Sequence, residues 1–363
     1  MSLDDNQSPR EEVHRGHDLE SGLLTRVREW VDLFPWIRLG RTLRAVGSPP
    51  LLLVVAVTFA LWRLGQTLLL GQGPIESSLW LDVEWLSLQD ETSFLPQFLH
   101  QTNSTAVYDM TVTARWWMAL ASVAWTVIAW APAGILLTRQ GGCLTAGRPM
   151  MSLRDGLSHA IRRSPSAWLS SFVPLACVFA IALAIAILGW LSRWSSDIRV
   201  IEITFGLLAA ILAIPCGILA FGANVAVPLS WAALANEKHP DTLDSLSRGY
   251  EYLFRRPLQL VLYVIVSLII LWIVRVIASG VAITAISVST KTMMFCGAPK
   301  SVSDTSAIVL AHLPAIMLLT ATWTLIGGIY LLLRYDAGGQ EVEDLWTPES
   351  QPSTPLPEIP STP

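Results

Sequence analysis

Few side chains in this 363-residue sequence have a type and spacing suited to chemistry. His14 and His17, followed by Asp18, have a conceivable metal-ligand spacing. They stand alone in a polar stretch, and an isolated spacing match is weak evidence for a site. No dinucleotide-binding glycine fingerprint, phosphate-binding P-loop, H-E-x-x-H or G-x-S-x-G pattern occurs. The four cysteines, Cys143, Cys177, Cys216 and Cys296, make no C-x-x-C pair, and Cys177 and Cys216 read as small buried apolar residues. No nucleophile, base and orienting group stand at an interpretable spacing, so no catalytic, cofactor or metal site is expected and the chain reads as non-enzymatic.

What remains is polar residues inside apolar runs and two pairs of arginines. Arg63, Arg275 and Asn224 lie within apolar runs, where an unpaired charge facing lipid costs several kcal/mol. They form a candidate intramembrane polar site for a small or anionic solute. For Arg275, 17 mostly apolar residues precede it in its run, so snorkelling toward a headgroup layer is the expected behaviour. The pairs Arg162-Arg163 and Arg255-Arg256 close two short amphipathic segments, and they are candidates for contact with anionic lipid or a protein partner.

The elements that must position these residues are membrane spans. The chain is 52% hydrophobic and 14% charged, with mean hydropathy +0.50, outside the range of soluble domains. Six apolar runs exceed the ~20 residues that a helix needs to cross a bilayer: 51–72, 116–138, 166–191, 203–234, 258–288 and 307–333. Backbone groups in lipid find no water, so helices are the expected conformation, and nothing suggests a nucleic-acid partner.

Lys and Arg set the orientation. Seven precede the first run, five separate runs two and three, four separate runs four and five, and one follows run six; the opposite side carries none, two and two in its three connections. The bias predicts cytoplasmic termini. No signal peptide opens the chain. The first outer connection, 73–114, holds six acids and no Lys or Arg, as translocated loops do under the same rule; it also contains "LWLDVEW" and the sequon Asn103-Ser104-Thr105. Residues 1–22 and the Pro-rich tail 335–363, with three Thr-Pro pairs, read as disordered.

"SLRDGLSHAIRR", Ser152 to Arg163, and "SLSRGYEYLFRR", Ser245 to Arg256, align without gaps at an offset of 93 residues and share Ser, Leu, Gly and the arginine pair. Apolar positions match as well: Met150, Leu153, Leu157, Ala160 and Ile161 against Leu243, Leu246, Tyr250, Leu253 and Phe254. This spacing predicts an amphipathic helix lying in the interface, ended by Pro165 or Pro257 before the following span. A weaker third copy, Trp36, Leu39, Leu43 and Val46 with Arg38, Arg41 and Arg44, precedes Pro49-Pro50. Three parallel units follow, 23–138, 139–234 and 235–334, each an interfacial helix and two spans.

"DTLDSLSRGYEYLFRRPL" ahead of an apolar run resembles the amphipathic-helix-plus-span units of bacterial multi-pass membrane families of unknown function. More distantly it is similar to the membrane domain attached to some glycerophosphodiester phosphodiesterases. The resemblance covers about 135–334, implies a multi-pass fold in a bacterial inner membrane, and transfers no site residue. Small residues at Ala176, Ala180, Ala184 and at Ala209, Ala213, Gly217 are expected to join spans three and four, and Pro215 and Pro228 to kink span four. The reading is an all-α protein of six spans and two or three cytoplasmic-face amphipathic helices. Its basic helices engage anionic headgroups or membrane-protein partners and organise the bilayer, with a permease or channel component as the alternative.

Overall fold

A computed structural model describes residues 34–70, 116–193, 199–238, 240–338, 341–343 and 345–346. The expectations for 1–22, the acidic loop 73–114 with its sequon, the His14/His17 spacing and the Thr-Pro pairs lie outside these residues. Among the described residues there is no strand. A 3-10 helix, Pro35–Thr42, leads into α1 (Leu43–Val46) and α2 (Pro49–Leu70). Then come α3 (Trp116–Thr145), α4 (Leu153–Ser192), α5 (Arg199–Asn236), α6 (Thr242–Arg255), α7 (Pro257–Phe295), α8 (Lys300–Ala311) and α9 (Leu313–Gly338). Six helical paths are long and apolar enough to cross a membrane, with α8 and α9 forming one of them.

The second spans form a hub: α3 packs on α9 and on α5, and α5 on α9. Around it α2 packs on α3, α4 on α5 and α3, and α7 on α9. Glycine lets the hub close. A Cβ on Gly141 of α3 would stand 1.9 Å from the Thr324 carbonyl oxygen of α9, and one on Gly327 of α9 would stand 2.0 Å from the Thr138 carbonyl oxygen of α3. The two backbones therefore touch from both sides, as small residues permit in lipid where no hydrophobic drive joins helices. One layer along, Trp231 of α5 lies over Gly134 of α3 and stacks on Trp323 of α9, with ring centroids 5.1 Å apart and planes 9° apart.

Connections at one end are tight helical hairpins. Gly147, at φ +74°, reverses the chain after α3 in a Schellman-like turn in which Arg148 N donates to Cys143 O at 2.8 Å. The Gln140 side chain brackets Met151, donating to its carbonyl and accepting from its amide, both at 3.0 Å. Ser152 then caps α4, accepting from Asp155 N. After α5, α6 folds back antiparallel: Gly249 would bring a Cβ within 2.5 Å of the Ala226 carbonyl, and Tyr250 lies on Gly222 and donates to Leu219 O at 2.9 Å.

Several expectations are corrected. Pro165 does not end a helix: α4 runs 40 residues through it, about 60 Å at the α-helical rise, twice the hydrocarbon thickness of ~30 Å. Ala160, Ser164, Ala167 and Ser170 are buried on both sides of the proline, and this continuous packing stripe holds the helix across the lost hydrogen bond. Pro257 does mark a break, at Arg256 (φ -133°, ψ 51°) between α6 and α7. Pro215 and Pro228 leave α5 unbroken as a helix, so span four is not divided at either proline. The third copy is mainly 3-10, with Leu39 and Val46 buried and Leu43 exposed.

α4 and α5 pack on each other as expected, but the small-residue stripes lie only partly on the shared face: Ala176, Ala180, Ala213 and Gly217 are exposed, whereas Ala184 and Ala209 are half-buried together with Val178, Ile181, Ile185 and Leu188 of α4 and Phe205, Leu212 and Cys216 of α5. Gly206 and Gly217 of α5 have nothing within 4 Å of an added Cβ, so neither glycine serves a close helix crossing. Cys177 is likewise exposed and Cys216 half-buried, whereas Cys143 is buried. No residue of 175–192 or 199–221 is buried, and large apolar side chains such as Phe179, Ile187, Ile203, Ile211 and Phe221 are exposed there. A surface of this composition is matched to hydrocarbon, not water.

Gly249→Ala should lower stability by about 1–3 kcal/mol, the usual cost of overpacking, because the obstructing atoms are backbone. Gly206→Ala, with nothing within 4 Å of the added methyl, should not. Thermal unfolding in detergent micelles checks the pair.

Candidate functional site

Among the described residues, a dense set of polar contacts gathers where the α3–α4 and α5–α6 turns, Arg38 of the 3-10 helix and residues 341–343 and 345–346 meet. Basic side chains predominate, so it is called here the basic end. Arg139, on the last turns of α3, is 1% exposed. It donates through Nη1 to Asn236 Oδ1 at 3.4 Å, through Nε to Met151 Sδ, and through Nη2 to the Trp346 carbonyl. Arg163 of α4 donates to the carbonyls of Leu234, Glu237 and Lys238 at 3.0, 3.3 and 3.2 Å. Those carbonyls finish α5 and have no intrahelical donor, so a guanidinium there satisfies them and the negative end of the helix dipole. His159 Nε2 lies 3.1 Å from the Ala235 carbonyl on the same helix end.

The ring of Trp346 lies between the two arginines. Both guanidiniums stand 5.8 Å from its centroid, cation–π geometry, and the His159 ring is 5.9 Å away. Arg148, on the α3–α4 turn, donates to Leu345 O at 3.0 Å and Glu343 O at 2.7 Å, and Arg38 pairs with Glu343 at 3.4 Å. Val342 and Leu345 are 4% and 3% exposed within the hub core. The tail was expected to be disordered from 335. Instead α9 continues to Gly338 and this segment docks, because Val342 and Leu345 enter the core, its carbonyls accept from Arg139 and Arg148 and Glu343 pairs with Arg38.

Beside this cluster, Glu237 Oε1 accepts from the Tyr330 hydroxyl and from Arg248 Nη1 at 2.5 Å, and Asp244 takes Arg248 Nη2 at 2.7 Å. Burial opposes the charge of Arg248, but the Glu237, Tyr330 and Asp244 groups outweigh it and hold the guanidinium above its ordinary value. Burial raises the neighbouring Tyr252 hydroxyl. Tyr263 donates to Asp336 at 2.7 Å. Carboxylates thus brace α5, α6, α7 and α9 together.

The paired arginines separate by role. Arg162 and Arg255 are exposed, and Arg255 carries only an i,i+4 pair with Glu251 at 2.6 Å. Arg163 and Arg256 turn inward and are half-buried; Arg256 Nη1 reaches Gln259 Oε1 at 3.4 Å. Of the intramembrane candidates, Arg63 is 3% and Arg275 8% exposed, so the snorkelling expected of Arg275 gives way to enclosure by the bundle, on the stripe Ser267, Leu271, Val274, Ala278 by which α7 is buried. Asn224 is half-buried and spends its amide on Ala220 O of its own helix at 3.1 Å.

A second polar seam joins α2 to α3. Gln66 Nε2 donates to Thr126 Oγ1 at 2.9 Å and to Ser122 O at 3.1 Å, and Ser122 Oγ donates to Gln66 Oε1 at 2.6 Å. Trp62 Nε1 donates to Thr126 Oγ1 at 2.9 Å, and Trp125 Nε1 to Trp62 O at 3.0 Å. Hydrogen bonds of this kind fasten helices in lipid. Arg139 and Arg148 were visible only as two of the basic residues that set the orientation, and Asn236 and Glu237 carried no signal of their own. Trp346 had no signal beyond being an aromatic residue in an acidic tail.

No family model, curated protein or solved structure matches this chain.

Arg163→Gln should cost about 1.5–3 kcal/mol, the range for hydrogen bonds to a charged group, whereas Arg162→Gln on the exposed side should fall within about 0.5 kcal/mol of wild type. Chemical unfolding of both variants in detergent measures the difference.

Proposed function

We propose that this is a non-enzymatic membrane protein whose basic end sits against the anionic leaflet, binding headgroups through outward arginines and organising the lipid around it, with both termini on the cytoplasmic side. One observation carries the reading. Large apolar side chains are exposed beside exposed arginines on the same helices: Leu157 and Ile161 (36% and 57%) with Arg154 and Arg162 on α4, and Leu243 and Phe254 (57% and 56%) with Arg255 on α6. Against water such apolar exposure is unfavourable. At an interface the apolar groups enter the acyl boundary while the guanidiniums meet phosphates.

The same geometry supports three repeated units. Gly156 of α4 meets Leu136 and Gln140 near the end of α3, and Gly249 of α6 meets Ala226 on the closing half of α5. Leu39 and Thr42 of the 3-10 helix meet Gly328 of α9. Each basic segment leans on the second span of the unit before it, and the first leans on the last, closing a ring. Anionic lipid then meets an arginine from more than one unit.

An arginine near an anionic surface is worth about 1 kcal/mol. An Arg162→Gln/Arg255→Gln variant should therefore lose roughly tenfold or more in phosphatidylglycerol affinity, read as lipid retained by the purified full chain in native mass spectrometry, with no loss of thermal stability. Unchanged retention would sink the proposal and leave a permease built on the enclosed Arg63 and Arg275 as the better reading.

A further inference from the structure

We infer that the segment described by residues 341–343 and 345–346 is a detachable strap over a site for a phosphate-bearing anion formed by Arg139, Arg148 and Arg163. It uses different arginines from the lipid-facing pair and does not rest on that reading. Three guanidiniums converge on one short segment, and among the described residues none of them forms an ion pair. Toward the strap their acceptors are neutral: the carbonyls of Glu343 and Leu345 for Arg148, that of Trp346 for Arg139, and the Trp346 ring for Arg139 and Arg163. Arg139 is 1% exposed. The Glu237 carboxylate acts on Arg163 from the side, but the acceptors that Arg139 and Arg148 hold among the described residues are carbonyl dipoles, an amide oxygen, a thioether and one aromatic face. A tetrahedral oxyanion would supply both the charge and the several acceptors that guanidinium forks match.

The strap's hold is of the kind that releases. Its bonds to the bundle run mainly through its own backbone, its apolar anchors are only Val342, Leu345 and the half-buried Trp346, and its ion pair to Arg38 is 57% exposed on the Glu343 side. The strap therefore competes with the anion for the same donors. The ligand class is a phosphate group, carried on a lipid headgroup or free in solution.

The test compares the full chain with its Leu345→Ala/Trp346→Ala variant in two arms. In neutral phosphatidylcholine nanodiscs, inorganic phosphate is titrated calorimetrically; in nanodiscs containing phosphatidic acid, retained lipid is counted by native mass spectrometry. Because a closed strap lowers apparent affinity by the fraction of molecules left open, the variant should bind about tenfold tighter or more in at least one arm. The responding arm names the source. Adding Arg148→Gln, or Arg139→Gln, should abolish the gain. If the double variant does not fold, Trp346→Ala alone should give a smaller gain with the same arginine dependence. No gain in either arm, or a gain that survives both arginine substitutions, overturns the inference.

Discussion

The backbone crossing of α3 and α9 is the constraint on which the rest of the bundle depends. Gly141 and Gly327 each lie against a carbonyl of the other helix. In lipid, helices gain little by simply being apolar, so close approach and the dispersion it brings must supply the cohesion. With that distance set, Trp231 and Trp323 can stack over Gly134, and Asn236 can lie against Gly142 at the α3–α5 contact. The peripheral spans then take their positions from the hub, α2 through the Gln66 seam and α4 through the Trp231 ring nitrogen, which donates to Ser171 Oγ and Ala167 O.

Closing three helices this tightly brings polar helix ends together, and the charges at the basic end follow from that. The carbonyls ending α5 need donors, and Arg163 with His159 provides them. Arg139 is then enclosed next to Asn236 and needs acceptors of its own, which the strap carbonyl provides. The two repeated arginines divide accordingly: the second of each pair turns toward the protein and the first stays outside. In α4 the two arginines are successive helical positions, 100° apart, so the doublet faces both environments; at the second doublet the break at Arg256 turns its side chain away from that of Arg255.

How much of this could be read from the sequence depended on which signal each residue sends. Spans were legible because every residue in a run contributes to one average, and the runs at 51–72 and 116–138 fall within α2 and α3 apart from a few terminal residues. Segment ends were not. Pro165 and Pro257 look alike in sequence, yet α4 continues through the first because Ala160 and Ala167 are packed on both sides of it, while the chain breaks at the second. The small-residue stripes at Ala176 and Ala213 misled, because which face of a lipid-exposed helix meets a neighbour is decided by tertiary contact and not by local pattern. For the candidate site, the arginine doublets were visible, but the inward role of Arg163 required knowing that the end of α5 lies beside it. The strap was hidden since Val342, Leu345 and Trp346 sit among the acids and prolines that ordinarily mark a solvated tail.

The most direct measurement of the central claim is the unfolding free energy of Gly141→Ala, Gly327→Ala and the double variant, each in the same detergent. If one two-sided crossing sets the bundle, each methyl forces the helices apart and costs about 1–3 kcal/mol. The double variant should cost much less than the sum, because helices separated by the first methyl already have room for the second. Strict additivity, or a wild-type stability in either single variant, would contradict the account.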